Sequence, residues 1–139
     1  GSGSARRLAV GMDQNRLSMM LATLSRHGGI AAYDQDVFIN VVGGVKIAET
    51  SADLAALTAI VSSIRNLPVP RTTLVFGEVG LAGEIRPVSY GEERLNEAAK
   101  RGFTHAVIPR ANMPKKPIPG MKLSGVDYLR GAIDALGLG

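Results

Sequence analysis

Cysteine and tryptophan are absent from this chain of 139 residues, histidine occurs twice, and aromatic residues make up only 4% of it. Without cysteine there is no disulfide framework, no thiolate metal site and no cysteine nucleophile. Two histidines, His27 and His105, are too few for a histidine-rich metal centre. Three tyrosines and three phenylalanines are a thin supply for a base-stacking platform of the single-strand-binding type. No apolar run approaches the ~20 residues of a membrane span, and the N-terminus lacks a signal-peptide pattern. These absences leave a soluble, cytoplasmic globular domain as the expectation, with no metal site and no membrane partner. The length suits one domain, and a chain of this size buries about two thirds of its unfolded surface. Sixteen Lys and Arg against twelve Asp and Glu give a net charge of +4. That balance is mildly basic and compatible with contact to a nucleic-acid backbone.

Residues 1–6, opening Gly-Ser-Gly-Ser, read as a flexible lead-in or cloning scar, and residues 7–139 as the domain. Arg7 to Val10 is a short strand. Leu17, Met20, Leu21 and Leu24 recur at helical spacing between Asn15 and His27, with Asp13 near the N-cap and Gly28-Gly29 as the stop. Asp36 to Val42 is a β-branched strand ended by Gly43-Gly44. The best helix opens near Thr50, where Thr50 and Asp53 resemble a capping box. Leu54, Leu57, Val61 and Ile64 form its apolar stripe, Ala55, Ala56 and Ala59 permit close packing, and Pro68 and Pro70 end it. Thr72 to Val88 reads as a hairpin, Glu92 to Arg101 as a short helix, and His105 to Pro109 as a strand. A Pro-rich loop, a strand from Met121 to Gly125 and a final helix from Asp127 to Leu136 complete a mixed arrangement of helices and strands.

One position stands apart on chemical grounds. Ser51 falls in the first turn of the best helix, where free N–H groups and partial positive charge can stabilise an oxyanion. It is either a nucleophile or a helix-capping residue beside Thr50. Gly77-x-x-Gly80-x-x-Gly83 lacks the strand–loop–helix setting and the Gly-Lys-Ser/Thr ending of a phosphate loop, so no ATP site is expected.

Val41 to Val45, Glu49-Thr-Ser-Ala-Asp53, the alanine-rich helix, Phe76 to Val88 and Val107-Ile-Pro109 together resemble the Lon protease proteolytic domain. The run Gly77-Glu-Val-Gly-Leu-Ala-Gly-Glu-Ile-Arg-Pro-Val88 is its most specific part. Asp13 to Leu17, Gln35 to Phe38, Asn40 to Lys46 and Pro114-Lys-Lys116 are similar, more closely still, to the C-terminal domain of the RadA (Sms) family of bacterial DNA-repair ATPases. The resemblance implies an α+β fold of the Lon proteolytic type, related to the second domain of ribosomal protein S5, with helices packed on a mixed sheet. It implies a longer DNA-dependent ATPase active in branch migration, built as a hexameric ring, with DNA and a recombinase as partners. ATP, Mg and Zn would belong to N-terminal parts of that protein, and this domain would carry no cofactor. Similar domains also begin with a strand upstream of Arg7, so Arg7 to Val10 is expected to pair with another chain or to fray.

The resemblance also places a peptidase Ser–Lys dyad, with Ser51 on the serine. Thr50 stands where that family has proline, and Asp53 where it has glycine. Counting forward without gaps to the lysine leads to Arg94, and no lysine lies between Lys46 and Lys100. Arginine keeps its proton and cannot act as a general base. Ser51 and Arg94 therefore read as a vestigial dyad with no catalytic residue. Arg94 is either a solvated side chain or a clamp onto Asp53 or Glu49. Glu78 and Glu84 read as solvated or subunit-contact residues, and the two histidines as lacking catalytic partners. Arg110, Lys115, Lys116 and Lys122 gather around the Pro-rich loop, with Arg86 on the preceding hairpin. Such a cluster is either a solvated face or a set of phosphate contacts that read no sequence. The family resemblance favours phosphate contacts over a bare oligomerising scaffold.

Overall fold

The computed structural model describes residues 7–10, 14–30, 37–40 and 50–139. The lead-in at 1–6, Asp13, Gly43, Gly44, Glu49 and the side chain of Leu17 lie outside the described residues. In chain order the elements are β1 (Arg7–Val10), α1 (Gln14–His27), β2 (Val37–Asn40), α2 (Asp53–Arg65), β3 (Thr73–Val75), β4 (Glu78–Val79), β5 (Ile85–Arg86), α3 (Gly91–Lys100), β6 (His105–Pro109), β7 (Lys122–Val126) and α4 (Leu129–Ala135). This is the α+β organisation that the sequence implied.

The strand His105-Ala-Val-Ile-Pro109 shows why the molecule has two packed faces. Ala106, Val107 and Ile108 are all fully buried, as a continuous apolar run requires of a central parallel strand. It lies between β3 and β7, parallel to both, with Leu74 opposite Ala106 and Leu123 on the other side. Successive side chains of a strand point to opposite faces. Val107 joins Leu24, Leu54, Leu57, Val61, Leu129 and Ile133 in a core built from α1, α2 and α4. Ala106 and Ile108 instead pack with Phe76, Leu95 and Ile118 beneath α3.

Helix α2 buries the expected stripe, with Leu54, Leu57 and Val61 fully enclosed and Ile64 partly so. Ala59, read as a packing residue, faces solvent. The helix ends at Asn66, not at the prolines. Asn66 adopts φ 53°, and the N–H of Leu67 returns to the carbonyl of Ser62 at 3.0 Å. This left-handed termination satisfies the last carbonyls before Pro68 is reached.

The hairpin expectation needs correction. The hairpin is confined to β4 and β5, which pair antiparallel as Glu78 with Arg86 and Val79 with Ile85. Thr73–Val75 belongs to the parallel sheet with β6. Gly77 separates the two roles with φ 151°, a conformation that favours glycine, and a Cβ there would lie 3.0 Å from Ile85 Cγ2. Strand β1 pairs in parallel with β2 along its whole length, Arg7 with Val37 through Val10 with Asn40, and is an edge strand of that two-stranded sheet. Its other edge has no partner among the described residues.

Leu57 lies fully buried between these layers. Leu57→Ala should cost about 2–5 kcal/mol in chemical denaturation, whereas Ala59→Ser should stay within about 0.5 kcal/mol of the parent.

Candidate functional site

The approach to the site is set at the start of α2. A 3₁₀ turn, Thr50–Ala52, leads into the helix, and its N-cap residue Ala52 receives no side-chain hydrogen bond. The capping box expected from Thr50 and Asp53 is therefore not formed. The Asp53 carboxylate is nearly enclosed, its side chain only 4% exposed, and pairs with the Arg16 guanidinium on α1. Its other oxygen accepts the N–H of Val79 at 3.1 Å. Asp53 thus ties α1, α2 and β4 together. Since Arg16 neutralises it, its charge does not oppose an anion at Ser51. The alternative in which Arg94 clamps Asp53 is corrected by the same geometry.

Ser51 is only 9% exposed. Its carbonyl accepts the Gly77 N–H at 3.0 Å, and the Gly77 carbonyl accepts the Leu54 N–H at 3.0 Å. The Ser51 hydroxyl has no hydrogen-bond partner among the described residues. On α3, Leu95 and Ala98 face the core, so Arg94, one position before Leu95, emerges at the helix boundary. Its Nε donates to the Ser89 carbonyl at 3.1 Å.

Ser51 and Arg94 line the same two adjoining clefts. One, of about 530 Å³, is of mixed character and includes Thr50, Glu78, Val88, Ser89 and Tyr90. The other, of about 460 Å³, is walled by Ala55, Leu74, Phe76 and Phe103, with Glu97 and Arg101 at its rim. The structure therefore brings together the two positions that the resemblance paired. Glu92 and Glu93 lie exposed on the first turn of α3.

The basic candidates divide into two groups. Arg86 is shared between Glu84 at 3.1 Å and Glu78 at 3.5 Å, and its hydrogen bond is the main reason that the Glu84 carboxyl titrates below its usual range. Arg110 pairs with Asp127 at 2.9 Å. Lys115, Lys116 and Lys122 are exposed and have no carboxylate within ion-pair distance among the described residues. Ile118, buried under α3, anchors the loop that carries the first two. Lys122 stands opposite His105 in the β6–β7 register. His105 Nε2 lies 2.9 Å from Ser124 Oγ, so it does have a partner, though one that makes no triad. Burial, and secondly the charge of Lys122, lower the imidazole pKa below its ordinary 6.5.

A profile of the family described as "Subunit ChlI of Mg-chelatase" matches residues 7–112. The chain belongs to this family. Within it, the chain is 62% identical over 128 residues to "DNA repair protein RadA" of Salmonella typhimurium, and equally so to that of Escherichia coli. It is 45% identical over 126 residues to the protein of the same name from Aquifex aeolicus. These stretches cover 92%, 92% and 91% of this chain and 28% of each relative, at the relatives' C-terminal end. The chain spans less than a third of the length of the curated relatives it matches. The likeness to the RadA family read from the sequence is thus shown.

In this member of the ChlI family, sequence reading missed three residues of the site. Arg16 gives no local sign of pairing with a residue on another helix. Tyr90 adopts φ 60° while 74% exposed at the cleft mouth, a conformation costly for a residue with a Cβ. Asn112 accepts the Val88 N–H at 2.9 Å and donates to the Val88 carbonyl at 3.0 Å, fixing the segment that leads to Tyr90. In none of the described helices is there a stretch long and apolar enough to cross a membrane.

Removing Arg16 while keeping Asp53 leaves an uncompensated buried charge. Arg16→Ala should cost about 3 kcal/mol in denaturant titration, and Arg16→Ala with Asp53→Asn should recover part of that loss. His105 supplies a pH test. Its pKa is lower folded than unfolded, so the folded state binds fewer protons between the two values and stability falls as pH drops below about 6.5. In His105→Gln, that part of the acid-side slope in thermal melts should be gone.

Proposed function

We propose that this domain serves DNA repair as a non-hydrolytic module that assembles into a ring and binds the DNA backbone without reading sequence. The observation that carries the reading is the trio Lys115, Lys116 and Lys122, exposed and with no acidic partner among the described residues, beside arginines already held by carboxylates. A backbone phosphate is the anion such lysines attract, and neutralising phosphates gives affinity without base readout. The name of the relatives, "DNA repair protein RadA", supports placing that contact in repair. Arg86 and Arg110, grouped with the lysines by sequence, take a structural part in this reading.

Residues 7–139 form the working unit. The ATP, Mg and Zn sites of a DNA-dependent ATPase lie in other parts of a longer cytoplasmic protein, which also meets the recombinase. A ring raises apparent affinity by presenting many weak contacts at high effective concentration. Hydrolysis is not among the roles, because Arg94 occupies the place of the base and cannot take a proton from Ser51.

Lys115→Ala with Lys116→Ala should weaken binding about equally on unrelated duplexes, and reduce the slope of log affinity against log salt by roughly 0.9 for each lost phosphate contact. Unchanged affinity at matched oligomeric state would favour a scaffold without DNA contact. Ser51 should remain unlabelled by fluorophosphonate probes. Peptide cleavage that disappears in Ser51→Ala would overturn the non-hydrolytic reading.

A further inference from the structure

We propose that the paired clefts at Ser51 and Arg94 bind the C-terminal carboxylate of a peptide whose last residue is apolar. The proposal rests on the reading that Ser51 does not hydrolyse peptides. Two unsatisfied donors meet there. Ser51 is 9% exposed as a residue, and its hydroxyl has no hydrogen-bond partner among the described residues. A buried polar group without a partner is unusual, and a ligand oxygen is what would satisfy it.

Arg94 supplies the matching charge. Its Nε is spent on the Ser89 carbonyl, which orients the guanidinium and leaves its terminal nitrogens without a recorded partner among the described residues. The neighbouring acids are engaged elsewhere, Glu78 with Arg86 at 3.5 Å and Glu97 with Arg101 at 3.2 Å. A planar guanidinium fork with open donors suits a carboxylate.

The second cleft selects what the carboxylate is attached to. Ala55, Leu74, Phe76 and Phe103 make an apolar wall that begins at Ser51 and Arg94, and its volume of about 460 Å³ lies within the range of ligand sites. A terminal carboxylate with an aliphatic or aromatic side chain on the adjoining carbon satisfies both halves. A phosphodiester strand offers the anion without the compact apolar group beside it. This site is distinct from the lysine loop, since none of Lys115, Lys116 and Lys122 lines either cleft.

The test uses the full 139-residue chain and fluorescence anisotropy of a labelled hexapeptide ending in leucine. The free acid should bind at least about tenfold more tightly than the same peptide as a C-terminal amide, the scale of a charge-assisted contact. It should also bind more tightly than a free-acid peptide ending in aspartate. Arg94→Gln should abolish the difference between acid and amide, and Ala55→Leu should abolish the preference for leucine over aspartate. Circular dichroism and thermal melts verify that both variants fold. Equal binding of acid and amide would overturn the proposal, as would no binding of any peptide. A 5′-phosphorylated oligonucleotide that displaces the peptide and itself depends on Arg94 would assign the cleft to nucleic acid and overturn it too. Mass spectrometry of the recovered peptide separates the two readings, since binding with cleavage defeats only the non-hydrolytic one.

Discussion

The first turn of α2 is held by a set of contacts on which the rest of the site depends. The Ser51 carbonyl receives Gly77 N–H, Gly77 returns its carbonyl to Leu54 N–H, and the Asp53 carboxylate takes the Val79 N–H while paired to Arg16. A buried carboxylate is tolerable only with its charge matched and its lone pairs used. That constraint fixes α1, α2 and the strand pair β4–β5 to one another. It also turns the chain at Gly77 from the parallel sheet into the short hairpin. Ser51 is placed opposite α3 as a consequence, and Arg94 reaches the same clefts.

Among the basic residues singled out here, arginine and lysine are held differently. Arginine has a rigid fork and weaker hydration than lysine, and it suits enclosed or bidentate pairs. Arg16, Arg86 and Arg110 each meet a carboxylate here. Lysine is a hydrated point charge on a flexible stem, and Lys115, Lys116 and Lys122 stand exposed on or beside a loop pinned by Ile118. The net charge of +4 therefore does not by itself say which cations stand without an acidic partner.

Most of the fold was legible wherever the determining signal was local. The helix-period stripe of α2, the apolar run of β6 and the boundaries of α1 follow from neighbouring residues. The hairpin was overdrawn because Leu74 and Val75 carry the same β signal whether they pair with the next strand or with the distant Ala106 and Val107. The capping box failed for a related reason: Asp53 found Arg16, a partner whose sequence distance no local rule weighs. In the site, the meeting of Ser51 with Arg94 came from family likeness and not from spacing. Tyr90 and Asn112 were illegible, since a left-handed tyrosine and a side chain bridging one residue's N–H and carbonyl have no compositional mark.

The proposed phosphate contacts are assigned to lysines without acidic partners and not to basic charge as such. Two double variants remove the same formal charge, Lys115→Ala with Lys116→Ala and Arg86→Ala with Arg110→Ala. Salt titrations of duplex binding at matched assembly compare them directly. The lysine pair should flatten the salt slope while the arginine pair leaves it within error of the parent, since each arginine already faces a carboxylate. Equal flattening in both, or a larger effect from the arginines, would contradict that assignment.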